Sequence, residues 1–396
     1  MIIGALGLAA CGNSSPSNQG ASSHASTSIA PTTTSTAPLA LNHEASRQAI
    51  PWKQVGSGWA LALWDSSSPP QPEESTTTAP GETAGLYLLN PDGGRYLVTT
   101  FPADNIPNLV AWSGDGRRAL LVDQVGNSEN SSTQVSEIDL ASGAVRSISP
   151  PPSVTVTYSN PSGLAFLATD QESPSLRRLS SDGAVELSYP TQFGALGAFN
   201  GSSSESSDGT QIAMGTHGGG IALVSNAGQV MANLVIPDTT YCSPVRWWTA
   251  SEVLVACLEG ASDFSALWLV PTSGSAPTAL TVPPPAGSQD VGDENAWQAG
   301  GSTYLQDAGA CGYEYLAVLD PDHTTSPVTV PGVGPNVSQG ILGAVGDQLL
   351  IQSSNSCGAG LSLLWYNPGS NVSNVVLGPG ANGGNVVAAL LFGDDN

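Results

Sequence analysis

The chain has 396 residues and a formal net charge of −23, from 32 acidic and 9 basic side chains. That excess of negative charge excludes nucleic acid as a partner, because phosphate would be repelled. Charged residues make up only 10% while Gly (46) and Pro (30) are abundant, which excludes a protein of long helices and points to short strands joined by turns.

In chain order, Met1–Ala10 (MIIGALGLAA) is an apolar run that ends at Cys11. It is too short to cross a bilayer and suits the core of a secretory signal. Leu8-Ala9-Ala10-Cys11 resembles the lipobox of bacterial lipoproteins. That resemblance implies cleavage before Cys11 and a diacylglycerol on its thiol. No Lys or Arg precedes the run, a departure from the pattern, so the signal peptide is expected to start upstream. From Gly12 to His43 there is no Asp, Glu, Lys or Arg, and Ser, Thr, Ala and Pro dominate. Such a tract cannot bury enough apolar surface to offset its ordering entropy. The expected organisation is a signal peptide over 1–10, a lipidated cysteine with a disordered tether over 11–50, and one all-β domain over 51–396.

From there one unit recurs: an apolar strand, a Gly or Asp turn, and a second strand. Instances are Gly85–Thr100, Ser136–Ser149, Leu176–Tyr189, Ile221–Ile236, Leu267–Val282, Leu316–Val330 and Leu363–Leu377. Their turns, marked by Gly93, Gly143, Gly183, Gly228, Gly274, Asp322 and Gly369, fall about 40–50 residues apart, the period of propeller blades. A looser hairpin precedes each: Trp52–Asp65, Asn108–Asp123, Ser159–Asp170, Ser206–Gly215, Ser243–Cys257, Asn295–Asp307 and Gly340–Ser353. Two hairpins make four strands, and four-stranded units repeated seven times describe a β-propeller, with six or eight blades as alternatives. Stacked blades cover each other's faces, so runs such as Ala119–Val122 and Val253–Ala256 can be apolar throughout. Asn385–Gly393 reads as one more strand, expected to close the ring by pairing in the first blade. Pro69–Ala84 reads as an exposed insertion in that blade.

The turn Trp112-Ser113-Gly114-Asp115-Gly116 resembles the TolB-like or WD40-like propeller repeat. The likeness covers Trp52 to the end of the sequence; blades three, five, six and seven lack the full motif. It implies the fold and is nearly silent on function.

Setting Cys11 aside leaves four cysteines, an even number that in an exported protein suggests disulfides. Blade register places Cys242 opposite Cys257 on the first hairpin of blade five. It places Cys311 and Cys357 in equivalent loops of blades six and seven. The expected bridges are Cys242–Cys257 and Cys311–Cys357; a zinc site of all four thiolates is the alternative, without a C-x-x-C pair to support it.

Catalytic signatures are sparse. There is no G-x-S-x-G elbow, and neither SGDGRRALL nor SSDGAVELS fits the sialidase Asp box. His217 and His323 are isolated and read as solvated loop residues. Asp290, Asp293 and Glu294 cluster just before an inner strand, where propellers present an axial mouth. They are candidates for a solvated acidic loop, a ligand or cation site that would suit calcium, or an acid/base pair. Trp247 and Trp248, adjacent in a strand, should point to opposite faces. Tyr313 and Tyr315 should share one face, as inter-blade packing or as a sugar platform. These features favour a lipid-anchored, extracytoplasmic binding or scaffolding protein, more a binder than an enzyme, that presents a propeller face to an envelope protein or polymer. It would touch the membrane through its lipid alone. The alternatives are a hydrolase or lyase with axial carboxylates and a ligand sensor.

Overall fold

The computed structural model describes residues 39–66, 83–125, 132–161, 163–259, 265–283, 290–309, 314–334, 337–355, 359–379, 381 and 383–393. Among these residues the strands form seven antiparallel blades, so the chain folds as an all-β, seven-bladed propeller.

Blade 1 runs outward as Asn385–Leu391, Ala60–Asp65, Thr83–Leu89 and Arg95–Pro102. Its innermost strand thus comes from the far end of the sequence, pairing Ala60 with Leu391 and Ala62 with Ala389. This is the expected closure. It also corrects the reading of Trp52–Asp65 as a hairpin: Trp52–Gln54 forms a turn and only Ala60–Asp65 is a strand. The inner place is taken by Asn385–Leu391, while Trp52 lies under the Arg117 guanidinium, 4.7 Å from its ring. On the outer edge Glu44–Ser46 adds a fifth strand, parallel to Arg95–Leu97. The folded part therefore reaches into the stretch assigned above to the tether.

Blade 2 is Asn108–Trp112, Arg118–Val125, Ser132–Asp139 and Val145–Ile148; blade 3 is Val154–Tyr158, Phe166–Asp170, Ser175–Leu179 and Val185–Ser188. Blade 4 is Phe199–Glu205, Gln211–Thr216, Gly220–Ser225 and Val230–Val235; blade 5 is Thr239–Thr249, Glu252–Glu259, Ser265–Pro271 and Thr278–Ala279. Blade 6 is Asp290–Ala299, Ser302–Gly309, Glu314–Leu319 and Thr325–Pro327; blade 7 is Val337–Val345, Gln348–Asn355, Ala359–Asn367 and Val372–Leu377.

The core is divided among the blade interfaces. Leu61 and Leu63 pack towards blade 2, against Leu109, Ala119 and Leu121. Ala60 and Ala62, on the other face of the same strand, pack against Leu350, Leu363 and Trp365 of blade 7. Second strands therefore carry consecutive buried apolar residues, as in Ala119–Leu121, Val253–Val255 and Leu349–Ile351. Strands covered on both faces lose the usual alternation.

The S-x-D-G turn explains its own sequence. In blade 2 the Ser113 hydroxyl donates to Asp115 at 2.6 Å and accepts the N–H of Arg118 at 2.9 Å, while Asp115 accepts the N–H of Arg117. Ser206, Asp208, Thr210 and Gln211 repeat this pattern in blade 4. Gly116 and Gly209 both take φ near +70°, a conformation open to glycine without strain.

Candidate functional site

The first strands of the blades line the axis, and their polar side chains enclose two adjoining cavities that share Asn295. The first, about 470 Å³, lies between blades 6 and 7, with Val387 of blade 1 completing the wall. Glu294 and Glu314 both face it, with Gln306 and Gln352. Loss of water in the channel raises the Glu294 carboxyl above the usual carboxylate range, even though its side chain keeps contact with solvent. Glu314 is raised by burial first and by the charge of Glu294 second. Gly340 makes the room that Glu314 needs: a Cβ there would stand 2.5 Å from Glu314 Oε2.

Amides fix these walls. Gln306 donates to the carbonyls of Tyr315 and Gln339 and accepts the N–H of Ile341, tying blade 6 to blade 7. Gln352 donates to the carbonyl of Val386 at 3.1 Å, tying blade 7 to the closing strand.

The second cavity, about 440 Å³, is bounded by blades 3, 4 and 5. Glu205 sits at its edge, 6% exposed, accepting from the Ser159 hydroxyl at 3.0 Å and the Asn160 N–H at 2.6 Å. Burial raises its carboxyl despite these bonds. Arg246 enters from blade 5 with its guanidinium 4.6 Å from the centre of the Trp297 ring. Trp247 Nε1 donates to the Ser204 carbonyl at 3.2 Å, pinning blade 5 against blade 4.

Of the acidic trio read from the sequence, Asp293 and Glu294 do not open to one space. All three residues lie within the inner strand Asp290–Ala299 rather than before it. Asp293 is 4% exposed, whereas Glu294 opens to the channel, at a bulge where the register shifts between Asp293 and Asn295. The side chain of Asp290 lies outside the described residues. The carboxylate partner of Glu294 is Glu314, from the third strand of the same blade. Among the described residues no three His, Cys, Asp or Glu side chains converge as a metal cage requires.

Cys242 and Cys257 form a disulfide, buried between blades 4 and 5. Cys11, Cys311, Cys357 and Tyr313 lie outside the described residues. Trp247 packs in the interface of blades 4 and 5, and Trp248 in that of blades 5 and 6, on opposite faces of their strand. Tyr315 is exposed. His217 is exposed and its ring contacts Tyr241; His323 stands at a turn, its Nδ1 3.1 Å from the Leu280 carbonyl oxygen. Glu205, Glu314 and Arg246 escaped sequence reasoning because none sits in a local run of charge: Glu205 and Arg246 meet through the ring, and Glu314 reaches Glu294 across the strands of blade 6.

No family model and no curated protein matches the chain. Solved structures do. A prolyl endopeptidase superposes with a TM-score of 0.50 at 13% identity, over 81% of this chain and 50% of that one. Oligopeptidase B from Leishmania major superposes with a TM-score of 0.50 at 10% identity, over 75% of this chain and 45% of that one. The chain thus spans about half the length of these structures, and at such identities the likeness concerns the fold alone. The superposition on TolB from Acinetobacter baumannii is looser, with a TM-score of 0.40 at 14% identity over 87% of this chain and 70% of that one.

Proposed function

We propose that this chain is an extracytoplasmic binding protein, held to the membrane by a lipid on Cys11 and a tether, that receives part of an envelope protein or polymer in its axial channel. One observation carries the reading: two adjoining polar cavities on the axis, walled by interlocked amides and carrying Glu205, Glu294, Glu314 and Arg246. Small-molecule sites are concave, few and largely pre-formed, and they place polar groups on rigid elements in this way. The buried Cys242–Cys257 bridge supports an oxidising compartment. Lipobox and tether supply the anchor, and the net charge of −23 argues against nucleic acid.

A second reading has its own support. Two carboxyls facing one cavity, both raised, are the arrangement by which one acid and one base share a reaction. An enzyme acting on an envelope glycan would use them so.

Crosslinked capture from envelope extract, with the wild-type chain and with Glu294→Gln/Glu314→Gln, tests both. Capture that falls about tenfold in the variant, the effect of unpairing one or two buried hydrogen bonds, supports binding in the channel. Undiminished capture overturns it. Release of new reducing ends from envelope glycan, abolished in the variant, would put the enzyme in its place.

A further inference from the structure

The cavity between blades 3, 4 and 5 has a lining that narrows its ligand. Thr155 and Thr157 alternate with buried residues on the inner strand of blade 3 and both face the cavity. Thr169, on the next strand, stands in register opposite Thr155 and lines the same space. Blade 4 adds Ser202, Ser203 and Ser204 in succession. The charges among the lining residues are one Glu205 and one Arg246, so the cavity is close to neutral inside a chain of net charge −23. Ser202 and Ser203 are half-buried, and Ser204 is buried at 7% exposed.

We propose that this cavity is a saccharide-binding site for one or two neutral sugar units; the inference rests on the reading of the axial channel as a ligand site. Each serine or threonine hydroxyl both donates and accepts, so a wall built of them suits a ligand whose own groups do both at every position. A sugar is such a ligand. Glu205, held by Ser159 and Asn160, adds a fixed acceptor for hydroxyl groups. Leu167, in register with Thr157, borders the same space with apolar surface. The near balance of charge disfavours a polyanion or a polycation, and so many hydroxyls disfavour an apolar ligand. The volume, about 440 Å³, lies at the lower end of the range for small-molecule sites, roughly 300–1,000 Å³.

The test is saturation-transfer NMR followed by calorimetric titration of the purified chain. The probes are glucose, galactose, mannose, N-acetylglucosamine and their 1,4-linked dimers, with gluconate and glucosamine as charged controls. At least one neutral probe should bind saturably, with Kd of about 1 mM or tighter. Thr155→Val, and separately Thr157→Val, should weaken it about tenfold, the effect of leaving one ligand hydroxyl without its partner. Both threonines are exposed, so neither substitution should disturb folding. Absence of saturable binding by every neutral probe overturns the proposal, as does equal or tighter binding of a charged control. If a sugar binds and both variants leave its affinity unchanged, the assignment to this cavity fails while binding elsewhere in the channel stands. If no sugar binds but capture from envelope extract still depends on Glu294 and Glu314, the saccharide fails and the binding function survives.

Discussion

At the scale of single residues the channel is governed by what happens to a carboxyl when water is thinned around it. Glu314 is raised by burial and then by the negative charge of Glu294. A group whose folded pKa exceeds its unfolded value stabilises the fold fully below the unfolded value, and loses that contribution as pH rises through the folded one. The glutamate pair therefore weakens the fold as pH climbs from the ordinary glutamate range through the raised values. Glu294→Gln removes one raised carboxyl and the charge acting on the other. The ¹³C titration midpoint of the Glu314 carboxyl is expected to move down in that variant, with a smaller loss of melting temperature across the same pH window. An unmoved midpoint would show that the two carboxyls do not sense each other. Glu294 was legible in the sequence because it sits in a local run of acids. Glu205 and Arg246 were not, because no spacing links them and their proximity is created by the ring; Glu314 was not, because it meets Glu294 only through the pairing of strands within blade 6.

At the scale of the element, several blades carry local devices that fix a hairpin. The S-x-D-G turn is one, and its carboxylate is held in the charged form: hydrogen bonds from Ser206 and then Thr210 lower Asp208 below its usual range. Such turns are readable from sequence because every partner lies within five residues. Inter-blade ties are less so. Glu137, 5% exposed, binds Arg146 at 2.6 Å from its own blade and accepts from the Tyr158 hydroxyl of blade 3 at 3.1 Å. Nothing in the local sequence marks that pairing. The Cys242–Cys257 bridge belongs to the readable class, since strand register alone placed the two opposite one another. It joins the first two strands of blade 5 across 15 residues of chain. Closing a loop of that size in the unfolded chain is worth about 3 kcal/mol. Cys242→Ala/Cys257→Ala should lower stability by about that amount in urea unfolding, and the loss caused by reductant should be larger by a similar amount in the wild type than in the variant, which keeps Cys311 and Cys357. Equal sensitivity of both proteins to reductant would show that the stabilising bond lies elsewhere.

At the scale of the molecule, the repeat period announced the propeller, but the first blade had to be read against its local pattern. Trp52–Asp65 offers apolar residues on both sides of a glycine-containing turn, the signature of a hairpin, yet only its second half forms a strand. Tertiary pairing overrides the local signal because Asn385–Leu391 supplies a better inner strand, one that buries Val386, Ala389 and Leu391 against its neighbours. The ring is thus fastened by a strand distant in sequence, and two trims of the chain should have unequal effects. Removing residues up to Ser46 takes away a short outer strand, largely exposed, and the Glu44–Arg95 ion pair at 2.9 Å. The trim also removes the Leu39 carbonyl that accepts from the buried Asn90 amide at 2.8 Å, and leaving that donor unsatisfied should cost about 1–3 kcal/mol. Ending the chain at Gly384 removes the inner strand. Burial of Val386 and Leu391 alone is worth on the order of 4 kcal/mol, and the freed strand Ala60–Asp65 would present an unpaired apolar edge. That trim should abolish cooperative melting or lower the midpoint far more than the first, with concentration-dependent association in size-exclusion chromatography. Equal effects of the two trims would show that the ring does not depend on this strand for closure.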